Sequence, residues 1–103
     1  MGQYIGVQVI GERGELLKDA RLNVEDLVYK VNTCLKMEDF PFLCSIEEYA
    51  NTVINPKQAK MLIEELKRLK SKEEFREYIV LLDKLIEIAG EIDYHHYLRF
   101  MGD

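Results

Sequence analysis

The sequence contains few of the residues that usually bind metals or form disulfides. It has two cysteines, two histidines and no tryptophan in 103 residues. Cys34 and Cys44 fit neither a Cys-x-x-Cys redox motif nor the spacing of a zinc site, and both lie among apolar residues, where cysteine usually packs as a small buried hydrophobe. His95 and His96 are adjacent on a predicted strand, so their side chains point to opposite faces and cannot chelate one metal together. We therefore expect a reduced protein with no metal and no other cofactor.

The sequence also lacks long apolar segments and an excess of basic charge. No apolar run approaches the roughly 20 residues needed to span a bilayer, and residues 1–10 contain no basic segment followed by an apolar stretch, as a signal peptide would. Nineteen acidic residues against fourteen basic ones give a net charge of −5, whereas nucleic-acid binding normally needs a basic surface. These absences predict a cytoplasmic protein that binds neither membranes nor nucleic acid. Its acidity favours a basic partner, if it has an electrostatic partner, and the alternative is that the charge serves only solubility.

The remaining composition is that of an ordinary globular protein. Hydrophobic residues make up 48% of the chain and charged residues 32%, which is far from the composition of disordered chains. The sequence has no repeats and no linker-like stretch. We therefore predict one domain over residues 1–103, with room for one modest core and little room for a deep cleft.

The first third of the chain predicts a hairpin followed by a helix. Residues 3–10 alternate between apolar and polar, which is the period of a half-buried strand. Residues 11–14 supply a glycine-rich turn, and residues 15–18 could return as a short second strand. Asn23 is a good N-cap, and apolar residues at helical spacing predict a helix over residues 24–36.

The rest of the chain predicts a short strand, two helices and a last strand. Residues 42–46 are apolar and bounded like a buried strand. Asn55 followed by a proline predicts one helix start, and Ser71 opens a Ser-x-x-Glu capping box before a widely apolar helix that a glycine should end. Residues 94–101 indicate a final strand. This order predicts an α+β fold: a small antiparallel or mixed sheet with about three helices packed on one face.

The polar segment before the second helix is the most unusual part of the sequence. Residues 47–54 indicate an irregular connection, in which Tyr49, Asn51, Thr52 and the following Asn55 place hydrogen-bonding groups beside an exposed aromatic candidate. Loops of this kind often carry function. The alternative is that Tyr49 and Thr52 pack under the loop while the two asparagines satisfy backbone groups.

Four acidic residues flank the predicted short strand: Glu38, Asp39, Glu47 and Glu48. They could form one acidic rim, which would attract a basic partner surface and steer its approach. The alternative is an ordinary solvated edge without a binding role. The sequence alone leaves both interpretations open.

The sequence contains no recognisable enzyme active site. Cys44 and His96 could form a thiolate–imidazolium pair if their strands were neighbours. However, no helix N-terminus directly follows Cys44, and no glycine-rich oxyanion loop lies nearby. We therefore predict no catalytic residues and a protein that is not an enzyme, with a small hydrolase using His96 as an alternative.

Several residues together resemble the pattern of a group of small bacterial proteins. That group carries a Tyr-x-x-Thr-x-x-Asn stretch, a glutamine on the next helix and a C-terminal His-x-Leu-x-Phe-x-Gly-Asp strand, and the resemblance covers residues 40–103. Proteins of this type are often immunity proteins of bacterial toxin systems, which neutralise a cognate toxin by binding it. The residues that carry the resemblance are Pro41, Phe42, Leu43, Ile46, Tyr49, Thr52, Val53, Asn55, Gln58, Glu65, Leu66, His96, Tyr97, Leu98, Arg99, Phe100, Met101, Gly102 and Asp103.

The resemblance implies an immunity-type protein that binds a toxin domain with a basic surface and occludes it. On this hypothesis the acidic rim steers association, and Tyr49 and Tyr97 act as aromatic anchors, with Asn51, Thr52 and Asn55 in the same interface. The main alternative is a homodimeric interaction or regulatory domain, which would associate through the wide apolar face of the helix predicted within residues 73–89.

Overall fold

The computed structural model of the protein describes residues 4–102 and shows an α+β fold, as the sequence predicts. The strands and helices are β1 (Gly6–Gly11), β2 (Leu16–Asn23), α1 (Glu25–Cys34), β3 (Asn51–Ile54), α2 (Pro56–Lys70), α3 (Ile79–Gly90) and β4 (His96–Met101). All neighbouring strands are antiparallel, and the sheet order is β2-β1-β4-β3. Two 3-10 turns, Leu43–Ser45 and Glu73–Tyr78, precede β3 and α3 respectively.

One face of the sheet packs against the helices and forms the core. Val7 lies opposite Phe100 and Val9 opposite Leu98 in the pairing of β1 with β4, and all four side chains are buried. The same cluster contains the buried residues of all three helices, so the helices lie on this one face. Their buried apolar residues are Leu27, Val28 and Val31 of α1, Ala59, Leu62, Leu66 and Leu69 of α2, and Leu82, Leu85, Ile88 and Ala89 of α3.

The opposite face of the sheet carries a mixture of polar and apolar side chains. Ile10 is buried there but does not belong to the main core cluster. Because side chains alternate along a strand, the pairing registers identify the residues that share this face. We call this set the outer sheet face: Gly6, Gln8, Ile10, Leu16, Asp19, Asn51, Val53, Tyr97, Arg99 and Met101.

The two edge strands are irregular or short. β2 departs from regular pairing with β1 at two places, and Arg21, inside the first irregularity, has a φ of 56°. β3 has only four residues. In the turn between β1 and β2, Gly14 has a φ of 81°, a conformation that glycine adopts without a steric penalty.

The predicted hairpin is confirmed, although its boundaries differ. Part of the predicted first strand, residue 3, lies outside the described residues, and β1 begins at Gly6. The second strand is longer than predicted and runs from Leu16 to Asn23. It can extend so far because its irregularities absorb extra residues while the pairing with β1 continues.

Two predictions for the middle of the chain are wrong. Residues 42–46 do not form a strand; Leu43–Ser45 is a 3-10 turn, in which the N–H of Ser45 donates to the carbonyl of Phe42 at 3.2 Å and the N–H of Ile46 to the carbonyl of Leu43 at 3.3 Å. Residues 47–54 are not wholly irregular, because Asn51–Ile54 forms β3 and pairs with β4. The short strand of the predicted order therefore exists, but it lies later in the chain.

The predicted helix starts have different outcomes. At α2, Asn55 caps the helix as predicted: its Oδ1 accepts from the N–H of Gln58 at 2.8 Å, and the Gln58 side chain accepts from the N–H of Asn55 at 2.9 Å. Asn23 does not occupy the cap position of α1; its Oδ1 accepts from the N–H groups of Ile5 and Glu25, which ties β1 to the start of that helix.

The predicted capping box at Ser71 is also wrong. Ser71 lies at the end of α2, where its hydroxyl donates to the carbonyl of Arg68 at 2.8 Å. The Glu73–Tyr78 turn follows without a side-chain cap, and α3 then ends at Gly90, as predicted. Ser71 lies at the end of α2 rather than at the start of the next helical segment, because the connection between Lys70 and Glu73 is too short to separate the two.

Candidate functional site

A buried carboxylate on α2 determines the path of the chain toward the candidate site. Glu65 is 4% exposed, and its two oxygens accept from the backbone N–H groups of Leu43 at 2.9 Å and Phe42 at 3.1 Å. A buried carboxylate needs such donors because it has lost its hydration. The two hydrogen bonds hold the turn against α2, and the chain leaves it at Ile46 toward the surface.

Directly after this turn, three consecutive residues line a surface groove of about 600 Å³. They are Glu47, Glu48 and Tyr49, and Asn32 on α1 also lines this groove. The Asn32 side chain donates to the carbonyl of Ile46 at 3.5 Å, a long hydrogen bond that connects α1 to this segment. We call this feature the acidic groove; its lining residues are Asn32, Cys44, Ile46, Glu47, Glu48 and Tyr49.

Tyr49 is the exposed aromatic residue of the acidic groove. It is 71% exposed, whereas Ile46 at the base of the groove is 3% exposed. An exposed tyrosine beside carboxylates offers apolar area and a hydrogen-bonding hydroxyl together. The interpretation in which Tyr49 packs under the loop is therefore wrong.

The end of β4 supports the groove from below. Gly102 donates to the carbonyl of Ala50 at 3.2 Å. A Cβ on Gly102 would lie 2.5 Å from the backbone oxygen of Glu48 and 2.7 Å from that of Ala50, so only glycine fits under this crossing. The backbone position of the groove segment thus depends on a residue more than fifty positions later in the chain.

The other polar residues of this segment have structural contacts. Thr52 faces the core side of the sheet, opposite Phe100, and its hydroxyl donates to the carbonyl of Ser45 at 3.4 Å. Asn51 is exposed on the outer sheet face, opposite Met101. Asn55 uses its side chain to cap α2. Of Tyr49, Asn51, Thr52 and Asn55, only Tyr49 lines the groove.

The four residues of the predicted acidic rim do not all lie together. Glu47 and Glu48 line the acidic groove, whereas Glu38 and Asp39 lie in the turn after α1 and are not among its lining residues. The carbonyl of Asp39 accepts from the guanidinium of Arg68 at 3.0 Å. A cation therefore stands beside Asp39, which reduces the negative potential on that side.

Tyr97, the second predicted anchor, lies away from the acidic groove. It is partly exposed on the outer sheet face, opposite Ile10 of β1. Five residues of nearly extended chain separate it from Gly102, which is roughly 17 Å. Tyr49 and Tyr97 therefore do not belong to one compact patch.

The two histidines contact different carboxylates. His95 Nδ1 contacts Glu12 in the β1–β2 turn, and His96 Nδ1 lies 2.8 Å from Asp93 Oδ1. Residues 4–102 contain no cluster of three or more histidine, cysteine or acidic side chains arranged to hold a metal ion. Both histidines nevertheless line one surface cavity of about 340 Å³, together with Glu12, Arg13 and Glu15 of the β1–β2 turn.

The two cysteines lie in different environments. Cys34 is exposed, so the prediction of a buried cysteine is wrong for this residue. It is the last residue of α1, and the helix ends before the apolar contacts of this side can cover the Cys34 side chain. Burial raises the pKa of the Cys44 thiol, and the charge of Glu65 raises that pKa further. A raised pKa is the opposite of what an activated nucleophile needs. His96 lies on β4 opposite Gly11 and does not line the groove that contains Cys44.

Sequence reasoning gave no role in the groove to three residues that position it, Glu65, Asn32 and Gly102, although Glu65 and Gly102 are among the residues that carry the resemblance. Glu65 had a detectable signal, since it is a charged residue one position before Leu66 on the edge of the apolar stripe of α2. Asn32 and Gly102 had none, because their contacts come from distant parts of the chain.

Comparison of the chain with family models, with curated proteins and with solved structures finds no significant match. Within residues 4–102, none of the helices combines the length and the apolarity needed to cross a bilayer.

Proposed function

We propose that this protein binds a basic surface of a partner protein through the acidic groove and neutralises the partner by occlusion, as an immunity protein neutralises its toxin. The observation that supports this most is the arrangement of Glu47, Glu48 and Tyr49 around one groove, with Tyr49 71% exposed. Occlusion needs a complementary surface and no chemistry.

The two glutamates and the tyrosine have different tasks in this mechanism. Carboxylates at the rim of an interface mainly raise the association rate, because they attract the partner over a distance of about one Debye length. A tyrosine that becomes desolvated at the centre of an interface mainly slows dissociation. The groove therefore predicts a separation of kinetic effects between Glu47 and Glu48 on one side and Tyr49 on the other.

The structure weighs against the two alternatives. The wide apolar stripe of α3 is largely used by the core: Leu82 and Leu85 are buried, Leu81 and Ile86 pack partly against the core, and Val80 is the large exposed hydrophobic residue of this helix. For a hydrolase, His96 contacts Asp93, and the residues that line the cavity beside it include no serine, threonine or cysteine.

The test begins with a basic toxin domain encoded beside the gene of this protein. Co-expression with wild-type protein should restore growth of cells that produce the toxin, and the purified pair should form a one-to-one complex. If the protein neither restores growth nor binds any such neighbour, the proposed function is wrong.

Binding kinetics then test the groove itself. Glu47→Lys combined with Glu48→Lys should lower the association rate roughly tenfold at low salt, and the difference should shrink as the Debye length falls to about 8 Å. Glu87→Lys is the matched control, since Glu87 is exposed on α3 and does not line the groove. Unchanged association rates in the double variant would remove the groove from the interface.

The tyrosine is tested separately. Tyr49→Ala should raise the dissociation rate by a factor of about thirty, the effect expected for a central aromatic anchor worth about 2 kcal/mol. Tyr94→Ala is the matched control, because Tyr94 is 86% exposed and precedes the opposite end of β4. Equal effects of the two substitutions would show that Tyr49 is no anchor.

A further inference from the structure

The outer sheet face contains a charged row that crosses three strands. Asp19 of β2 lies opposite Gln8 of β1, and Gln8 lies opposite Arg99 of β4. Arg99 donates through Nε and Nη2 to Gln8 Oε1, at 3.0 and 2.6 Å. Since adjacent strands are about 4.8 Å apart, the backbones of Asp19 and Arg99 are roughly 10 Å from each other, and the Arg99 guanidinium bonds to Gln8, between them, without forming an ion pair with Asp19.

Neither charged residue of this row has an ionic partner in the described part of the chain. The ion pairs within residues 4–102 include neither Asp19 nor Arg99. The Asp19 carboxylate accepts from the N–H of Arg21 at 2.8 Å, which leaves its other oxygen without a partner among the same residues. The row is therefore a dipole, with a negative end at β2 and a positive end at β4.

We propose that the outer sheet face binds a second copy of this chain, with a two-fold axis that runs along β1. Rotation about such an axis places β2 of one copy over β4 of the other. Asp19 of each copy then faces Arg99 of the second copy, and the two Gln8 side chains face each other. The row is complementary to itself in this arrangement, and the two ion pairs form symmetrically.

Apolar residues next to the charged row also face apolar residues of the second copy in this arrangement. Ile10 lies opposite Leu16 on one side and opposite Tyr97 on the other. The two-fold axis brings Leu16 of one copy over Tyr97 of the second copy, and Ile10 over Ile10. Leu16 is 54% exposed, so this contact removes apolar surface that the monomer leaves in water.

The size of the face sets the strength of the dimer. With the axis along β1, the strands β2, β1 and β4 of the two copies overlap, whereas β3 of each copy extends beyond the edge of the other. Three strands of about six residues cover roughly 14 by 20 Å, or about 290 Å² in projection. A standard interface buries about 800 Å² on each partner. The dimer should therefore be a weak one that dissociates on dilution rather than an obligate assembly. The acidic groove is not part of this face, so the proposal stands independently of the proposed function.

Sedimentation equilibrium of the purified full chain tests the proposal. The average mass of wild-type protein should rise from monomer toward dimer as concentration increases. Asp19→Arg and Arg99→Asp should each weaken dimerisation at least roughly tenfold, because each substitution places like charges opposite one another. Wild-type protein that stays monomeric at every concentration would overturn the proposal.

The decisive arm is an equimolar mixture of the Asp19→Arg and Arg99→Asp variants. In a mixed dimer, the first variant presents arginine at both positions and the second presents aspartate at both. Each arginine therefore faces an aspartate of the other copy, at both contacts. The mixture should associate within about threefold of wild type, given that both opposite-charge contacts are restored. A mixture as weak as either variant alone would overturn the proposed axis.

Two further variants distinguish a loss of dimerisation from a general loss of folding. The combined Asp19→Arg, Arg99→Asp chain should form dimers with itself, since the row is reversed but still complementary. Glu87→Arg makes a similar charge reversal on α3 and should leave dimerisation at the wild-type level. A combined variant that folds, as shown by circular dichroism, but remains monomeric counts against the proposal.

Discussion

Replacing Glu65 with glutamine tests how the chain reaches the candidate site. The substitution preserves the size of the side chain but turns one acceptor oxygen into an NH₂ group. In the protein, both oxygens accept from backbone N–H groups, at 2.9 Å for Leu43 and 3.1 Å for Phe42. Glutamine can accept only one of these hydrogen bonds, and its NH₂ group then faces the remaining N–H donor.

The expected cost follows from burial. A hydrogen bond to a charged group contributes about 1.5–3 kcal/mol, and a buried donor left without a partner costs about 1–3 kcal/mol. These two figures overlap, because both describe the same lost contact. Since Glu65 is only 4% exposed, solvent cannot replace the bond. We therefore expect Glu65→Gln to lower the free energy of unfolding by about 1.5–3 kcal/mol, a large share of the stability of a small domain.

Urea denaturation measures this loss, with Glu64→Gln as the matched control. Glu64 is the preceding residue, and its exposed side chain lies 3.8 Å from Lys67, a surface pair that contributes at most about 1 kcal/mol. Hydrogen exchange should also show faster exchange at the amides of Phe42 and Leu43 in the Glu65 variant. If Glu65→Gln unfolds at the wild-type midpoint and keeps the protection of both amides, the carboxylate does not hold the turn.

Three further predictions concern single residues around the site. Asn55→Ala removes the cap of α2 and should lower the free energy of unfolding by about 1 kcal/mol, whereas an unchanged denaturation midpoint would contradict the cap. Gly102→Ala places a Cβ as close as 2.5 Å to the backbone above it, so we expect a loss of about 1–3 kcal/mol and displaced amide signals for residues 48–50; an undisturbed spectrum would contradict the close crossing. Burial and the charge of Glu65 raise the pKa of Cys44, so at neutral pH it should react with iodoacetamide more slowly than the exposed Cys34 and accelerate as the pH rises, and equal rates by peptide mass spectrometry would contradict this.

The elements that could be predicted from sequence are those set by local pattern. The start of α2 depends on Asn55 and the residues directly after it, and the capping box forms within four positions. β4 was predictable because Leu98 and Phe100 alternate with polar neighbours, and both are buried. In each case a short stretch of sequence contains the information that determines the structure.

The failures depend on contacts between distant residues. The turn at Leu43–Ser45 forms because Glu65, more than twenty residues later, supplies acceptors for its N–H groups. β3 is short and partly polar, and it becomes a strand because β4 pairs with it. Neither effect leaves a periodic pattern in the strand or turn itself.

The candidate site was predictable only to the extent that it is continuous in sequence. Glu47, Glu48 and Tyr49 line one groove and are neighbours in the chain. Tyr97 could not be placed relative to them, because that requires the sheet order, which the pattern of apolar residues does not contain. Asn32 joins the groove only through the packing of α1 beside the turn.

The irregular edges of the sheet limit how this protein can associate. A growing fibril adds strands by hydrogen bonding to a straight, unpaired edge. β2 is interrupted twice, with Arg21 turned into a left-handed conformation, and β3 provides only four residues. An incoming strand would therefore lose its register after a few hydrogen bonds at either edge. We therefore expect concentrated solutions to remain clear because of the backbone shape of these edges, without any need for repulsion between charges. The protein can then associate only through faces that each bind a single partner, and such contacts cannot grow into a fibril.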